Sequence, residues 1–339
     1  MLTPPRHTRA VVLQRRPQGP PRPDDFALVQ QPLPRPHRGA VVVGVADLSL
    51  DPYLRSVLGA GHLAQAALAL GSAVVPGTAV AIVLESEHPS FAPGDWVVGD
   101  IGWREHGIVD GDALRPVPVI DGLPRSAVLG AAGMPGLTAY AALERHLRPQ
   151  HGETVAISSA TGGVGATAGQ LAAARGARTV AIVGSAEKAA DALELGYEAA
   201  VVRTTSDWAT DLARACPDGI DGYLHMGDQQ TLDCVLDRLS VGARISLCGL
   251  MDQYNDGPRT VLDAGKVMSA RASVHGMVVY DHQDLATVHR EAVASLVAAD
   301  QLRLHEHRTI GLASAPAAFC ELMSGANRGK AVVEVASFS

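Results

Sequence analysis

Between Thr154 and Gly165 the chain reads TVAISSATGGVG, and its glycines are spaced as a phosphate-binding turn requires. A short run of β-formers, Thr154 to Ile157, stops at small residues, and an Ala-rich helical stretch, Ala166–Arg175, follows. Strand, tight turn and helix in that order bring unpaired backbone N–H groups and the positive end of a helix dipole to one point. Side chains at Gly162, Gly163 or Gly165 would hold a pyrophosphate away from those groups. With Val164 between them, these residues form the candidate pyrophosphate cradle. Read as G-x-G-x-x-G, the first position is Ala160, so the fingerprint is a variant. By itself the stretch reads also as an ordinary Gly-rich turn.

The next segment, Ala177–Val183, is a second buried-strand pattern at the spacing of a βαβ unit. An NAD-binding unit places Asp or Glu roughly 20 residues past the glycines, where it accepts from the ribose hydroxyls. Here the strand ends at Gly184 and Ser185, with Lys188 one helical turn further on. Without that carboxylate there is no repulsion against a 2′-phosphate, and Ser185 and Lys188 offer a hydroxyl donor and a positive charge. The expected cofactor is therefore NADP(H). Lys188 reads equally well as a solvated helix lysine.

The rest of the chain must hold these groups in place. Its 339 residues suffice for two domains, and 47% apolar with 19% charged residues is an ordinary globular composition. A net charge of −7 without a basic stripe argues against a nucleic-acid partner. The N-terminus, MLTPPRHTRAVVLQRRPQGPPRP, has no continuous apolar core and is not a secretory signal. Leu63–Leu84 carries no charged residue, but Gly71, Ser72, Pro76 and Gly77 interrupt it. It reads as a short helix and a buried strand, with no membrane span. Cys216, Cys234, Cys248 and Cys320 form no C-x-x-C and too few pairs for a disulfide framework. They read as thiols in a reducing, cytoplasmic setting. His62, His106, His225 and His275 are scattered, so no zinc site or other metal site is expected.

Residues 8 to about 120 show short β runs punctuated by Pro and Gly: Ala10–Leu13, Ala40–Ala46, Thr78–Glu85, Trp96–Val98 and Gly107–Val109. From about 125 to 300 strands and helices alternate. Helices are expected at Ala127–Leu147, Val164–Arg175, Glu187–Leu195, Trp208–Ala215 and Gln230–Leu239. Strands are expected at Thr154–Ile157, Thr179–Val183, Ala199–Val202, Gly222–His225, Ala243–Cys248 and Ala272–Val279. Six strands with crossover helices give an α/β chain with a doubly wound parallel sheet. After a helix near Pro316–Ser324, Lys330–Val335 is again strand-like, which suggests a discontinuous first domain. The expected division is 1–125 with 305–339, and 126–304.

Five ordered motifs together resemble one family. They are Asp51–Arg55 (DPYLR), Gly133–Tyr140 (GMPGLTAY), the glycine turn with Gly184–Lys188 (GSAEK), Cys248–Asn255 (CGLMDQYN) and Asn327–Lys330 (NRGK). The chain is similar to the zinc-independent medium-chain dehydrogenase/reductases, in the branch of prostaglandin/leukotriene reductases, plant double-bond reductases and bacterial curcumin reductases. The resemblance implies a GroES-like β-rich substrate domain, a Rossmann domain, NADPH in the cleft between them, and reduction of α,β-unsaturated carbonyls. Carried over by position, Gly162–Gly165 hold the pyrophosphate, while Ser185 and Lys188 face the 2′-phosphate. Arg203 stands where the family often has Tyr; it is either a multidentate phosphate donor or a solvated strand-end Arg. Cys248, Gly249 and Leu250 run with Tyr254 along the nicotinamide half, Met277, Val278 and Val279 lie near the carboxamide, and Asn327 closes over the dinucleotide. Met134 and Thr138 contact the nicotinamide. Without the resemblance, Met277–Val279 is simply a buried strand. One segment departs: the family commonly reads D-N-V-G-G after the fourth Rossmann strand, and here Leu224–Asp228 (LHMGD) lacks that Asn.

Enone reduction requires hydride at the β-carbon, a donor aimed at the carbonyl oxygen, and a proton for the α-carbon. The family motif points to Tyr254 as that donor, directly or through the nicotinamide ribose; a buried Tyr with a satisfied hydroxyl is the competing reading. Tyr53 lines the pocket as a possible second donor, Arg55 reads as structural, and water supplies the last proton. Competing functions are an NADPH quinone oxidoreductase, a pathway-specific tailoring reductase, and a non-catalytic NADPH-binding protein. The expected partners are a small-molecule enone or enal and a second copy of the chain, the homodimer pairing through a sheet edge such as Ala272–Val279.

Overall fold

Valines alternating with small and polar residues, cut by Pro and Gly, make the first third of the chain a set of short strands. The computed structural model describes residues 5–338; the outermost ends of the expected first domain, 1–4 and 339, lie outside them. β1 spans His7–Leu13, β2 Phe26–Pro32 and β3 Ala40–Ser49, followed by α1 at Leu54–Leu58. β4 (Gly61–His62) and β5 (Gln65–Ala66) form a minimal hairpin before β6 (Thr78–Ser86), β7 (Trp96–Asp100), β8 (His106–Asp110) and β9 (Arg115–Pro116). β3, β6, β7 and β9 adjoin in one sheet, β8 pairs with β3, and β1 pairs antiparallel with β2. Val41, Val43, Val45 and Leu48 of β3 are buried with Ala79, Ala81, Trp103 and Phe319 in the core of this half.

The second half opens with α2 (Met134–Ala141) and then alternates: β10 (Thr154–Ser158), α3 (Gly163–Ala174), β11 (Arg178–Val183), α4 (Ala186–Glu194), β12 (Ala199–Val202), α5 (Trp208–Ala215) and β13 (Ile220–His225). It continues through α6 (Gln229–Leu236), β14 (Leu239–Leu247), α7 (Met251–Tyr254), α8 (Ala264–Ala270), β15 (Ser273–Gly276) and α9 (Ala286–Ala298). The strand order is β12-β11-β10-β13-β14-β15, every pair parallel. The order reverses between β10 and β13, and such a switch point opens a crevice at the carboxyl ends of the strands. β16 (Glu306–Ile310), α10 (Ala315–Ser324) and β17 (Lys330–Glu334) then return the chain to the first sheet, where β17 pairs antiparallel with β3. This is the expected combination of a β-rich unit and a doubly wound parallel sheet. Among the described residues no helix is long and apolar enough to cross a membrane.

Several elements differ from expectation. The helix expected after Leu63 is a hairpin: Leu63 is left-handed at φ 51°, and a Cβ on Gly61 would lie 2.5 Å from the Gln65 carbonyl. A short Ala-rich segment exposed on the surface gains too little packing to stay helical. The helix expected over Ala127–Leu147 is broken into a 3-10 turn at Arg125–Leu129, α2, and a π-helical turn at Ala142–Leu147. The break is steric, because a Cβ on Gly133 would sit 1.7 Å from the Val128 carbonyl, and it puts Met134 at a helix start. The last strand ends at Gly276, so Met277 and Val278 follow it and Val279 begins a 3-10 turn. β2, α8 and α9 were not anticipated.

His225 and His289 are 0% and 1% exposed, and burial pushes both down to about 4. His146 also falls to about 4, through burial and the neighbouring His275 and His282 rings. The unfolded chain takes up these protons near 6.5, so folding is favoured fully above that value and progressively less as pH falls toward 4. Each fully buried ring accounts for on the order of 3 kcal/mol over the window. The urea midpoint should fall steadily from about pH 7 to about pH 4.5, and His289→Gln should reduce that slope. A midpoint independent of pH would contradict the burial assignment.

Candidate active site

The turn between β10 and α3 is shaped by two kinds of glycine. Gly165 is obligatory for the protein itself, since a Cβ there would lie 2.0 Å from the Ser159 carbonyl. Gly162, the residue capping α3, has nothing closer to such a Cβ than 3.8 Å, so its outer side is open to a ligand. No side chain caps this helix, which leaves first-turn N–H groups and the dipole directed outward. Gly163 lies over Lys330, whose Cδ would be 2.7 Å from an added Cβ, and beside Pro135 of α2. Beneath the turn, the buried Tyr197 hydroxyl donates to the carbonyls of Gly165 at 2.7 Å and Ala160 at 3.2 Å. Gly169 makes room for that ring, a Cβ there being 2.2 Å from it. Sequence reasoning missed Tyr197; a glycine inside a helical pattern was the available signal.

At the end of β11, Ser185 caps α4, accepting from the Lys188 N–H at 3.3 Å. Lys188 is 8% exposed and its ammonium donates to the Gly325 carbonyl at 2.6 Å. Burial, then the nearby Arg203 charge, lowers its pKa. Arg203 in turn pairs with Asp228 at 2.5 Å. Ser185, Lys188 and Arg203 thus gather at one end of the parallel sheet, where both cations already hold protein partners. Arg328, unnoticed for this region, reaches across from the segment after α10 to grip Asp191 of α4 with two bonds of 2.9 and 2.5 Å.

On the other side of the switch point, Cys248, Met226, Met277 and Val164 pack on one core face with Ala160. The amides of Cys248 and Gly249 both donate to the His225 carbonyl, at 2.9 and 3.2 Å. In the departing Leu224–Asp228 segment, His225 joins a buried chain: Ser158 Oγ to the Tyr223 hydroxyl at 2.7 Å, and that hydroxyl to His225 Nδ1 at 2.9 Å. His225 Nε2 is buried without a partner among the described residues. Asp228 caps α6 through Thr231. Thr138 directs its hydroxyl to the Met134 carbonyl at 2.8 Å, Leu250 flanks α7, and Val278 and Val279 follow Met277 beyond β15. Asn327 is 7% exposed and donates to the Gly329 carbonyl at 2.7 Å.

Tyr254 and Tyr53 both pack against the core of the first half, together with Met251. Among the described residues the hydrogen-bonded tyrosine hydroxyls are those of Tyr197 and Tyr223, and neither Tyr254 nor Tyr53 makes such a bond. Burial, and secondarily Cys248, pushes Tyr254 up to about 12. Burial followed by Asp51, Asp100 and Tyr280 raises Tyr53 well beyond the ordinary phenol value. Both are therefore neutral donors at physiological pH. Tyr280 is raised too, by burial, Asp100 and Asp51, and belongs to the same group; it escaped the sequence reading although it follows Met277–Val279 directly. His62 stands against Tyr53 with ring centroids 5.2 Å apart. Asp51 accepts from Lys330 at 2.9 Å and from Ser49 at 2.5 Å. Among the described residues no three His, Cys, Asp or Glu side chains converge to hold a metal ion.

Residues 9–117 match a family described as the N-terminal domain of oxidoreductase, and residues 163–294 match the zinc-binding dehydrogenase family. The chain is 38% identical to the NADPH-dependent curcumin reductase of Escherichia coli, over 97% of each protein. It is 34% identical to prostaglandin reductase 1 of Rattus norvegicus, over 94% of this chain and 96% of that one. Among solved structures, CurA of Vibrio vulnificus in complex with NADPH superposes with a TM-score of 0.91 at 32% identity, covering 97% of this chain and 100% of that one.

The clamp under the glycine turn gives a direct test. Tyr197→Phe leaves two buried carbonyls without their donor and should destabilise the fold by about 1–3 kcal/mol. It should also weaken NADPH binding, read by calorimetric titration at a temperature where the variant remains folded. Unchanged stability and unchanged binding together would remove Tyr197 from the support of the cradle.

Proposed function

Because the chain belongs to the zinc-independent medium-chain dehydrogenase/reductases, we propose that it uses NADPH to reduce the carbon–carbon double bond of α,β-unsaturated ketones and aldehydes. It is an NADP-dependent oxidoreductase, and its substrate is a small molecule. In this reading residues 1–125 and 305–339 form the substrate domain and 126–304 the coenzyme domain.

The residues present fit the coenzyme. The open side of Gly162 and the uncapped start of α3 suit a pyrophosphate, and Gly162, Gly163, Val164 and Gly165 would hold it. Lys188 and Arg203, with Ser185, would receive the 2′-phosphate; each cation trades a carbonyl or carboxylate for the phosphate oxygens. Met134, Thr138, Cys248, Gly249, Leu250, Met277, Val278 and Val279 would flank the nicotinamide half, and Asn327 would cover the dinucleotide. When bound, NADPH supplies the hydride that the β-carbon accepts.

The observation that carries the reading is the Tyr254 phenol: half-buried against the core of the first half, neutral, without a hydrogen-bond partner among the described residues, and close to Cys248. As electron density moves onto the substrate carbonyl oxygen, this donor stabilises the enolate it becomes. Tyr53, which packs against the same core, would line the pocket from the other half as a second donor. The carboxylate of Asp51 is engaged by Lys330 and Ser49, so it is no proton source, and water protonates the α-carbon. Cys248 stays a thiol, burial raising it to about 12, and does not attack the electrophilic substrate.

The outer edge of β15 ends the parallel sheet with an unpaired row of backbone groups, which supports a homodimer formed edge to edge. Four free thiols agree with a cytoplasmic location.

NADPH consumption measured against a panel of enals, enones and quinones tests the reaction class, and turnover restricted to quinones would overturn it. Tyr254→Phe should lower kcat for an enone about 100-fold while leaving the NADPH dissociation constant unchanged. Since this phenol titrates near 12, the donor is retained as pH rises from about 7 to about 10 and is lost only above that range. An inflection in kcat near pH 10 that Tyr254→Phe abolishes would mean an exposed phenol instead. Lys188→Ala should narrow the preference for NADPH over NADH about tenfold; an undiminished preference in the Lys188→Ala, Arg203→Ala double variant would misplace the phosphate site.

A further inference from the structure

Arg55 lies in α1, two residues after Tyr53, and is 2% exposed. A guanidinium cannot shed its charge, so an enclosed one must be paired. Its Nε and Nη2 donate to the Gly19 carbonyl at 3.0 and 2.9 Å, and Nη2 also to the Pro17 carbonyl at 3.2 Å. The one carboxylate that meets it among the described residues is Asp256, at 2.5 Å, and that residue is not part of the first half. It lies two residues after Tyr254, in the loop that leaves the coenzyme sheet. The same carboxylate accepts from the Gly19 amide at 3.0 Å. Arg55, Gly19 and Asp256 are thus one knot tying the Pro-rich Pro17–Pro23 loop, the Asp51–Arg55 motif and the Tyr254 loop across the cleft.

The rest of that loop is held at points that leave Tyr254 little freedom. The Gly257 amide donates to the Asp252 carbonyl at 2.8 Å, and Asn255 Nδ2 donates to the Met323 carbonyl at 3.0 Å. On the coenzyme side, Asp252 accepts from the Gln229 amide at 3.0 Å. Asp256 itself is left-handed at φ 57°, a conformation Asp, Asn and Gly tolerate better than other residues.

We propose that Asp256, through its pairing with the buried Arg55, is a positioning residue that holds the Tyr254 hydroxyl where the substrate carbonyl develops its charge. Separating Asp256 from Arg55 would leave the buried guanidinium with backbone carbonyls alone, so the pair favours the arrangement in which the Tyr254 loop meets the Asp51–Arg55 motif. The inference rests on the reading of Tyr254 as the donor.

The test uses the full chain with NADPH and 3-penten-2-one. Asp256→Gly removes the carboxylate without straining the backbone, and Asp256→Asn removes only its charge. Both should lower kcat, the glycine variant roughly 10- to 100-fold, as expected when a catalytic group is misplaced by about 1 Å. The NADPH dissociation constant, read by quenching of protein fluorescence, should stay unchanged, and Asp256→Glu should restore part of kcat. In the Tyr254→Phe background Asp256→Gly should have little further effect on kcat, because the donor it positions is already gone. Without any ligand, amide hydrogen exchange should quicken at Tyr254–Gly257 in Asp256→Gly and Asp256→Asn. Normal kcat in both Asp256 variants while Tyr254→Phe is slow overturns the positioning role alone, as does an undiminished further loss in the Tyr254→Phe background. Normal kcat in Tyr254→Phe overturns the donor reading and this inference with it.

Discussion

The close approach of the α3 N-terminus to the end of β10 is the constraint on which the functional half depends. A helix start can hold a phosphate only if its N–H groups are bare, outward-facing and rigid. Gly165 lets the helix press against the Ser159 carbonyl, Gly162 leaves the approach open, and Tyr197 stiffens the turn from below. Each of the three does one part of this work, and none could be exchanged with another. Gly165 answers to the packing of the protein, while Gly162 leaves its outer side open, although in the sequence they look alike.

The far end of the chain closes the same structure. The segment 325–330 holds Lys188 through the Gly325 carbonyl, Asp191 through Arg328, and Asp51 through Lys330. Three residues of this six-residue segment therefore touch the proposed 2′-phosphate site, the underside of Gly163 and the Tyr53 motif. The Lys330–Asp51 pair is almost fully enclosed, and removing one partner of such a pair is far more damaging than replacing both. A phosphate drawing Lys188 away from Gly325 would act directly on the segment that carries Asn327. The proposed 2′-phosphate site and the Tyr53 motif thus share a covalent path of a few residues.

Much of this was legible because it is local. Strand–glycine–helix order, the missing acid after β11 and the returning C-terminal strand are all read from neighbouring residues. What stayed hidden was steric or long-range. Ala-rich periodicity over Ala127–Leu147 conceals that Gly133 must pass the Val128 carbonyl, so one expected helix became three pieces. α9 buries only His289 and Val293, too few residues to announce a helical face. Tyr197 acts on a carbonyl 32 positions away and Asp256 on a guanidinium 201 positions away, separations at which sequence pattern carries no signal. Arg55 reads as structural in the sequence, and its burial and its pairing with Asp256 explain why.

The electrostatics of the cleft follow from what conjugate reduction asks. Charge appears on the carbonyl oxygen, three bonds from the carbon that receives hydride, so the stabilising group must be a donor that keeps its proton until the charge arrives. An ordinary phenol already does so at neutral pH, and here the surroundings extend the margin. Partial burial raises Tyr254 to about 12, and burial first, with the Asp51 and Asp100 charges after it, raises Tyr53 and Tyr280. A donor of that acidity is matched poorly to full proton transfer, which favours a hydrogen bond that strengthens as the enolate forms. It also leaves α-carbon protonation to a separate source. The same partial burial that raises these phenols pushes Cys248 up to about 12 and keeps it a thiol, so in the proposed reaction one physical cause would both hold the donor's proton and keep the nearest sulfur from attacking an electrophilic substrate.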